Sequence, residues 1–203
     1  MKPFPFTYPA VRLTRRHGPR YSNGWEPYRD WLRDEFEFRC VYCLRRERWI
    51  GRVAQFAIDH IVARANSGAA HDYNNLAYSC TRCNSRKSDN PVPHPEDVAY
   101  GDCVEVDDEG NIRWRNREGR LLVRSVRLDE PEITRLRKDE LRYLRNLFRH
   151  EPEHFRERMS DPDELPDLRN RSRDSNSKPE SWRQSAHARN AKARFSHGGE
   201  KSS

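Results

Sequence analysis

Residues 80–89 read Cys80-Thr81-Arg82-Cys83-Asn84-Ser85-Arg86-Lys87-Ser88-Asp89, and an earlier Cys-x-x-Cys pair, Cys40 and Cys43, lies upstream with 36 residues between the pairs. Thiols at this spacing sit on one tight knuckle. Two knuckles supply the four thiolates of a tetrahedral zinc site, with Zn–S bonds of about 2.3 Å. Disulfides are the competing use of four cysteines, and they belong to oxidising compartments. The opening stretch, MKPFPFTYPAVRLTRRHGPR, has no apolar core ahead of a small-residue cleavage site. A reduced, cytoplasmic chain is therefore expected, and Cys40, Cys43, Cys80 and Cys83 are assigned to one structural zinc. Cys103 stands apart and reads as a small buried residue in a strand.

The composition around these pairs limits what they can serve. Of 203 residues, 34% are hydrophobic and 35% charged, where globular domains average about 45–50%, in a set that also counts Gly, and about 25%. The mean hydropathy is −1.17, and no apolar run long enough for a membrane span occurs. Such a supply predicts a compact centre with polar extensions. The 39 Lys and Arg exceed the 32 Asp and Glu, for a net charge of +7. Arginine dominates the cations, which favours bidentate contacts with phosphate. Nucleic acid is the expected partner, and no membrane.

The layout predicts an α+β chain in four segments. Residues 1–24 read as a basic extended arm, because Pro3, Pro5, Pro9 and Pro19 block any long helix. A helix is expected from Pro27 to about residue 38, with Trp25, Tyr28, Trp31, Leu32 and Phe36 on its core face. Short strands follow at 53–59 and 76–79, and a helix runs from Asn84 to the proline cluster at 91–95. These elements make a zinc-stapled ββα unit within a domain spanning 25–97. Residues 98–150 read as a β-meander, with strands at 103–107, 112–115 and 121–128, followed by a helix from Pro131 to about 150. Residues 151–203 read as a disordered charged tail, acidic to 167 and basic beyond.

The chemistry lies between the knuckles. Asp59-His60 ends a strand, Asn74-Asn75-Leu76 opens the next, and Asn84 begins the following helix. Hard oxygen donors from Asp59 and Asn84 suit Mg²⁺ or Mn²⁺. His60, neutral near physiological pH, can take a proton from an attacking water. Arg86 and Lys87 stand within one turn of Asn84 and are expected to contact flanking phosphates of nucleic acid. Each residue has a plainer use: His60 as a structural histidine, Asn75 as a turn residue replaceable by Asn74, Lys87 as a surface charge, and His71 as an exposed loop residue.

Asp59-His60, Asn75-Leu76 and Cys83-Asn84 with Lys87, framed by both cysteine pairs, resemble the HNH endonuclease family over about residues 38–90. The third signature position is Asn84, so the letters read His–Asn–Asn. The resemblance implies a ββα-metal fold and metal-dependent hydrolysis of phosphodiester bonds in DNA. By that resemblance His60 is the general base, Asp59 and Asn84 hold the catalytic Mg²⁺ or Mn²⁺, and Asn75 braces the loop that orients His60. A zinc-stabilised nucleic-acid-binding module with an idle site is the alternative.

Overall fold

Phe56–His60 (β1) and Leu76–Cys80 (β2) pair antiparallel in the computed structural model, which describes residues 5–17, 26–50, 55–63, 72–166 and 168. Phe56 faces Cys80 and His60 faces Leu76 in the register. Phe56 and Tyr78 stack with ring centroids 4.7 Å apart, so β-branched and aromatic content becomes packing between the strands. Thr81–Lys87 (α3) leaves β2 directly and packs against both strands. The expected ββα unit is present. Its helix begins three residues before the expected Asn84, because Cys80 is still extended and the helix starts straight after it.

Before this unit a single 3₁₀ turn, Glu26–Tyr28, leads into Arg29–Glu35 (α1). Tyr28, Trp31 and Leu32 are buried as the pattern requires, while Trp25 lies outside the described residues. Glu37 and Phe38 both adopt left-handed conformations, at φ 53° and 54°, which stop the helix short of the expected end. The chain then forms the first knuckle and Glu47–Ile50 (α2).

The 98–150 segment departs from the expected meander. Tyr100–Cys103 (α4) precedes a hairpin of Val104–Val106 (β3) and Ile112–Trp114 (β4). Cys103 is buried as expected, at the end of α4 rather than in a strand. Where a third strand was expected at 121–128, the chain forms the helix Arg117–Val126 (α5). Its start is set by Asn116, whose side chain accepts a hydrogen bond from Gly119 N at 2.8 Å. Leu122, Val123 and Val126 then fall on one buried helical face. Pro131–His150 (α6) follows as expected, with Ile133, Leu141, Leu144 and Leu147 buried.

Both ends were also expected to be looser than they are. Residues 5–17 are extended, yet Phe6, Tyr8, Arg15 and His17 are buried. Arg15 donates to Asn74 O, Leu76 O and Glu96, and His17 pairs with buried Asp34 at 2.8 Å. This stretch is stitched into the core and offers few free cations. At the other end, Pro152–Met159 (α7) and the residues to 166 replace expected disorder. This segment meets arginines of the centre: the Asp163 carboxylate pairs with Arg48 at 2.5 Å, and the backbone carbonyl of Glu164 accepts from Arg33 at 3.2 Å. Residues 169–203 lie outside the described residues. One hydrophobic cluster runs from Phe6 to Leu168, with residues from all four expected segments. Among the described residues, no helix is long and apolar enough to cross a membrane.

Candidate active site

Two knuckles build the centre of the site. Cys40 and Cys43 lie on the turn after α1, closed by Leu44 N donating to Cys40 O at 3.0 Å, with Leu44 at φ 61°. Val41 N donates to Tyr78 O at 3.0 Å, which ties this knuckle to β2. Cys80 ends β2 and Cys83 lies in the first turn of α3. All four sulfurs are buried and lie within 4.8 Å of one another. Cys43 and Cys80 Sγ are 3.7 Å apart, and bonds of about 2.3 Å to one tetrahedral ion place sulfurs about 3.8 Å apart. The cluster can hold one metal ion.

The thiols are electrostatically unequal. Burial pushes the Cys40 thiol well above its ordinary range, while hydrogen bonds from Cys40, Cys43 and Cys83 push Cys80 down. Arg137 of α6, only 2% exposed, lines a small cavity with Cys43, Cys80 and Cys83. Its Nε donates to Gly110 O at 2.7 Å, but its buried Nη1 has no partner among the described residues. Four thiolates around a divalent ion leave two negative charges in excess. A buried guanidinium with a spare donor is the counter-charge such a centre requires.

The carboxylate and imidazole of Asp59-His60, at the end of β1, differ in burial. Asp59 is buried, 4% exposed, and His60 is only half-buried. Tyr42 Oη donates to Asp59 Oδ2, and Lys87 Nζ pairs with Asp59 Oδ1 at 3.3 Å. Burial raises the Asp59 carboxyl above its usual range, opposed by the Lys87 charge and by both hydrogen bonds. Burial and the Asp59 charge also push the Tyr42 phenol well up, which keeps it a donor. Tyr42 lies inside the first knuckle, and nothing in its own spacing marked it as a partner of Asp59.

Lys87 corrects one expectation. It is fully buried, and besides Asp59 it donates to His60 O at 2.7 Å, so no surface remains for a phosphate. Arg86 is also committed, to Glu130 at 2.6 Å and Glu132 at 3.2 Å, where α6 begins. Asn84 precedes Lys87 by three residues and so shares its helical face. Among the described residues no partner is assigned to its amide side chain. Asn75 accepts from Val62 N at 2.8 Å and donates to Val62 O at 3.0 Å. Its own carbonyl accepts from Ile61 N at 2.8 Å, so one residue fixes the path of the chain just after His60. Asn74 instead turns its backbone carbonyl to Arg15 and His94. His71 lies outside the described residues.

In comparison with known proteins, the family model described as HNH endonuclease matches residues 40–90. No curated protein and no solved structure matches the chain.

Proposed function

With residues 40–90 matching the HNH endonuclease family, we propose that the protein is a metal-dependent DNA endonuclease that hydrolyses phosphodiester bonds to 5′-phosphate and 3′-hydroxyl ends. The observation that carries the reading is the junction of β1, the Asn75-held turn and α3. There Lys87 ties Asp59 to the His60 carbonyl, and Asn84 shares the Lys87 face. The four-cysteine cluster holds a structural zinc that fixes the origin of α3.

His60 accepts the proton of the attacking water on an imidazole nitrogen. Asn75, through its two bonds to Val62, keeps the His60 backbone in one orientation. Asp59 and Asn84 offer oxygen ligands to Mg²⁺ or Mn²⁺. Each Asp59 oxygen takes one donor and so keeps a lone-pair site, which fits the group. What a bound ion supplies is neutralisation of charge on the phosphate and on the leaving 3′ oxygen. Lys87 serves Asp59 rather than substrate, holding that buried carboxyl in its charged form.

One observation favours the second reading, a nucleic-acid-binding module with an idle site: the ammonium of Lys87 already neutralises Asp59. Conversion of supercoiled plasmid separates the two. Nicked or linear product is expected with Mg²⁺ or Mn²⁺ and not without them, and His60→Ala lowers the rate about 10²–10⁴-fold with zinc content unchanged. Full activity in that variant removes His60 as the base. No conversion by folded, zinc-loaded protein leaves the binding module.

A further inference from the structure

We propose that the exposed face of α5 is a second contact surface for duplex DNA, tracking phosphates beside the reactive site. The proposal rests on the phosphodiesterase reading for the identity of its partner. Arg117, Arg120 and Arg124 recur at i, i+3 and i+7, which places them on one face of the helix. All three are exposed, opposite the buried Leu122, Val123 and Val126. They span roughly 10 Å at about 1.5 Å per residue, a length over which a duplex strand presents successive phosphates.

A solvated helix face is the ordinary meaning of exposed arginines, and two features argue against it here. The first is charge balance. Arg15, Arg33, Arg48, Arg86, Arg145 and Arg158 each meet a carboxylate within 4.0 Å. Among the described residues Arg117, Arg120 and Arg124 meet none, nor do Arg135 and Arg149 of α6. The latter two stand about four helical turns apart, with Arg142 between them paired to Asp139, whereas the three on α5 are neighbours. Three adjacent guanidiniums without counter-charge repel one another, an arrangement that an external polyanion relieves. The second is position. α5 packs against α3, the helix that carries Asn84 and Lys87, and Ser125 Oγ donates to Pro91 O just past that helix. The α3 arginines nearest the site, Arg82 and Arg86, are occupied by Glu132 and Glu130. Among the described residues, α5 adjoins α3 and its three arginines have no carboxylate partner.

The test is fluorescence anisotropy of a short labelled DNA duplex with full-length protein in a His60→Ala background, without added Mg²⁺, over a salt series. Replacing Arg117, Arg120 and Arg124 together by Gln keeps helix propensity. The expected result is an affinity loss of about tenfold or more near 0.1 M salt, and a salt slope shallower by about 0.9 per lost phosphate contact. A matched triple on α6, Arg135→Gln, Arg142→Gln and Arg149→Gln, removes equal charge and is expected to keep the slope. Circular dichroism melts verify that both triples fold. Equal losses in the two triples, or no loss in the α5 triple, overturn the proposal, the latter leaving α5 to an acidic protein partner. Plasmid cleavage by the wild-type chain tests the nuclease reading separately. Cleavage without an α5 effect defeats only the surface, and an α5-dependent duplex affinity without cleavage defeats only the nuclease.

Discussion

Lys87 has no surface left to offer a ligand, and its value is what it does for Asp59. Both groups are buried, and a carboxylate stripped of its ammonium partner in such a place is uncompensated. Lys87→Met is expected to cost about 3–5 kcal/mol, read as a fall in the urea midpoint. Adding Asp59→Asn should restore much of that loss, because the stranded charge is gone. A loss below about 1 kcal/mol in the single variant would place the pair among those worth little. Asn75 gives a contrasting case. Asn75→Ala loses two part-buried bonds to Val62, a residue 44% exposed. The stability loss is therefore modest, about 1 kcal/mol, while kcat falls and KM holds, the split that marks a positioning residue. A rise in KM with kcat unchanged would instead assign Asn75 to substrate contact. At this scale the sequence offered Asp59, His60, Asn75 and Asn84 as a group through the resemblance alone, while the Tyr42 and Lys87 bonds to Asp59 required the folded approach of α3 and the knuckle.

Elements were legible where one periodicity dominated and misread where two competed. α6 carries an uninterrupted helical stripe behind Pro131 and was found within a residue. The valines of α5 resemble a strand, and Asn116-Arg117-Glu118-Gly119 resembles a turn. The turn chemistry was in fact an N-cap, and it decides for helix. The docking of these helices makes two measurable demands. At Gly119 an added Cβ would lie 2.0 Å from Cys103 O, a backbone atom that cannot step aside. Gly119→Ala is thus expected to destabilise by about 1–3 kcal/mol despite alanine's better helix propensity; a raised melting temperature would show that α5 stands off α4. Where α6 begins, hydrogen bonds from Arg86 and Arg82 hold the Glu132 carboxyl below its usual value of 4.5. Its contribution to stability is therefore present above pH 4.5 and is lost as pH falls through the lower folded value. Glu132→Gln should lower the melting temperature near neutrality, with the gap to wild type closing in acid. A gap that persists in acid would make the contact one of packing rather than charge.

Across the whole molecule the four-cysteine cluster is a hub rather than a local staple. Its sulfurs join the cluster of buried residues that extends from Phe6 to Leu168, and the cavity beside them is lined by Phe6 and by Ile133, Leu136 and Arg137 of α6. The scarcity of apolar residues explains why. A chain of 203 residues with 34% hydrophobic content cannot bury several independent cores, so terminal segments expected to be loose fold back on the single one available. Sequence patterning missed this because residues 5–17 and 152–166 have no periodicity of their own. Their order comes from Tyr8, Arg15, Trp49 and Arg48 finding partners far along the chain. With zinc bound there as proposed, metal binding is folding free energy for the entire protein. Stripping zinc with a strong chelator, or Cys83→Ser, should remove hydrogen-exchange protection from α6 together with β2 and α3, in one cooperative transition. Arg137→Met should narrow that difference between holo and apo protein, because a metal centre with excess negative charge loses its counter-ion while the apo thiols lose only a buried charge they did not need. Protection of α6 that outlasts the metal would instead divide the molecule into a four-cysteine ββα unit and a separately stable extension.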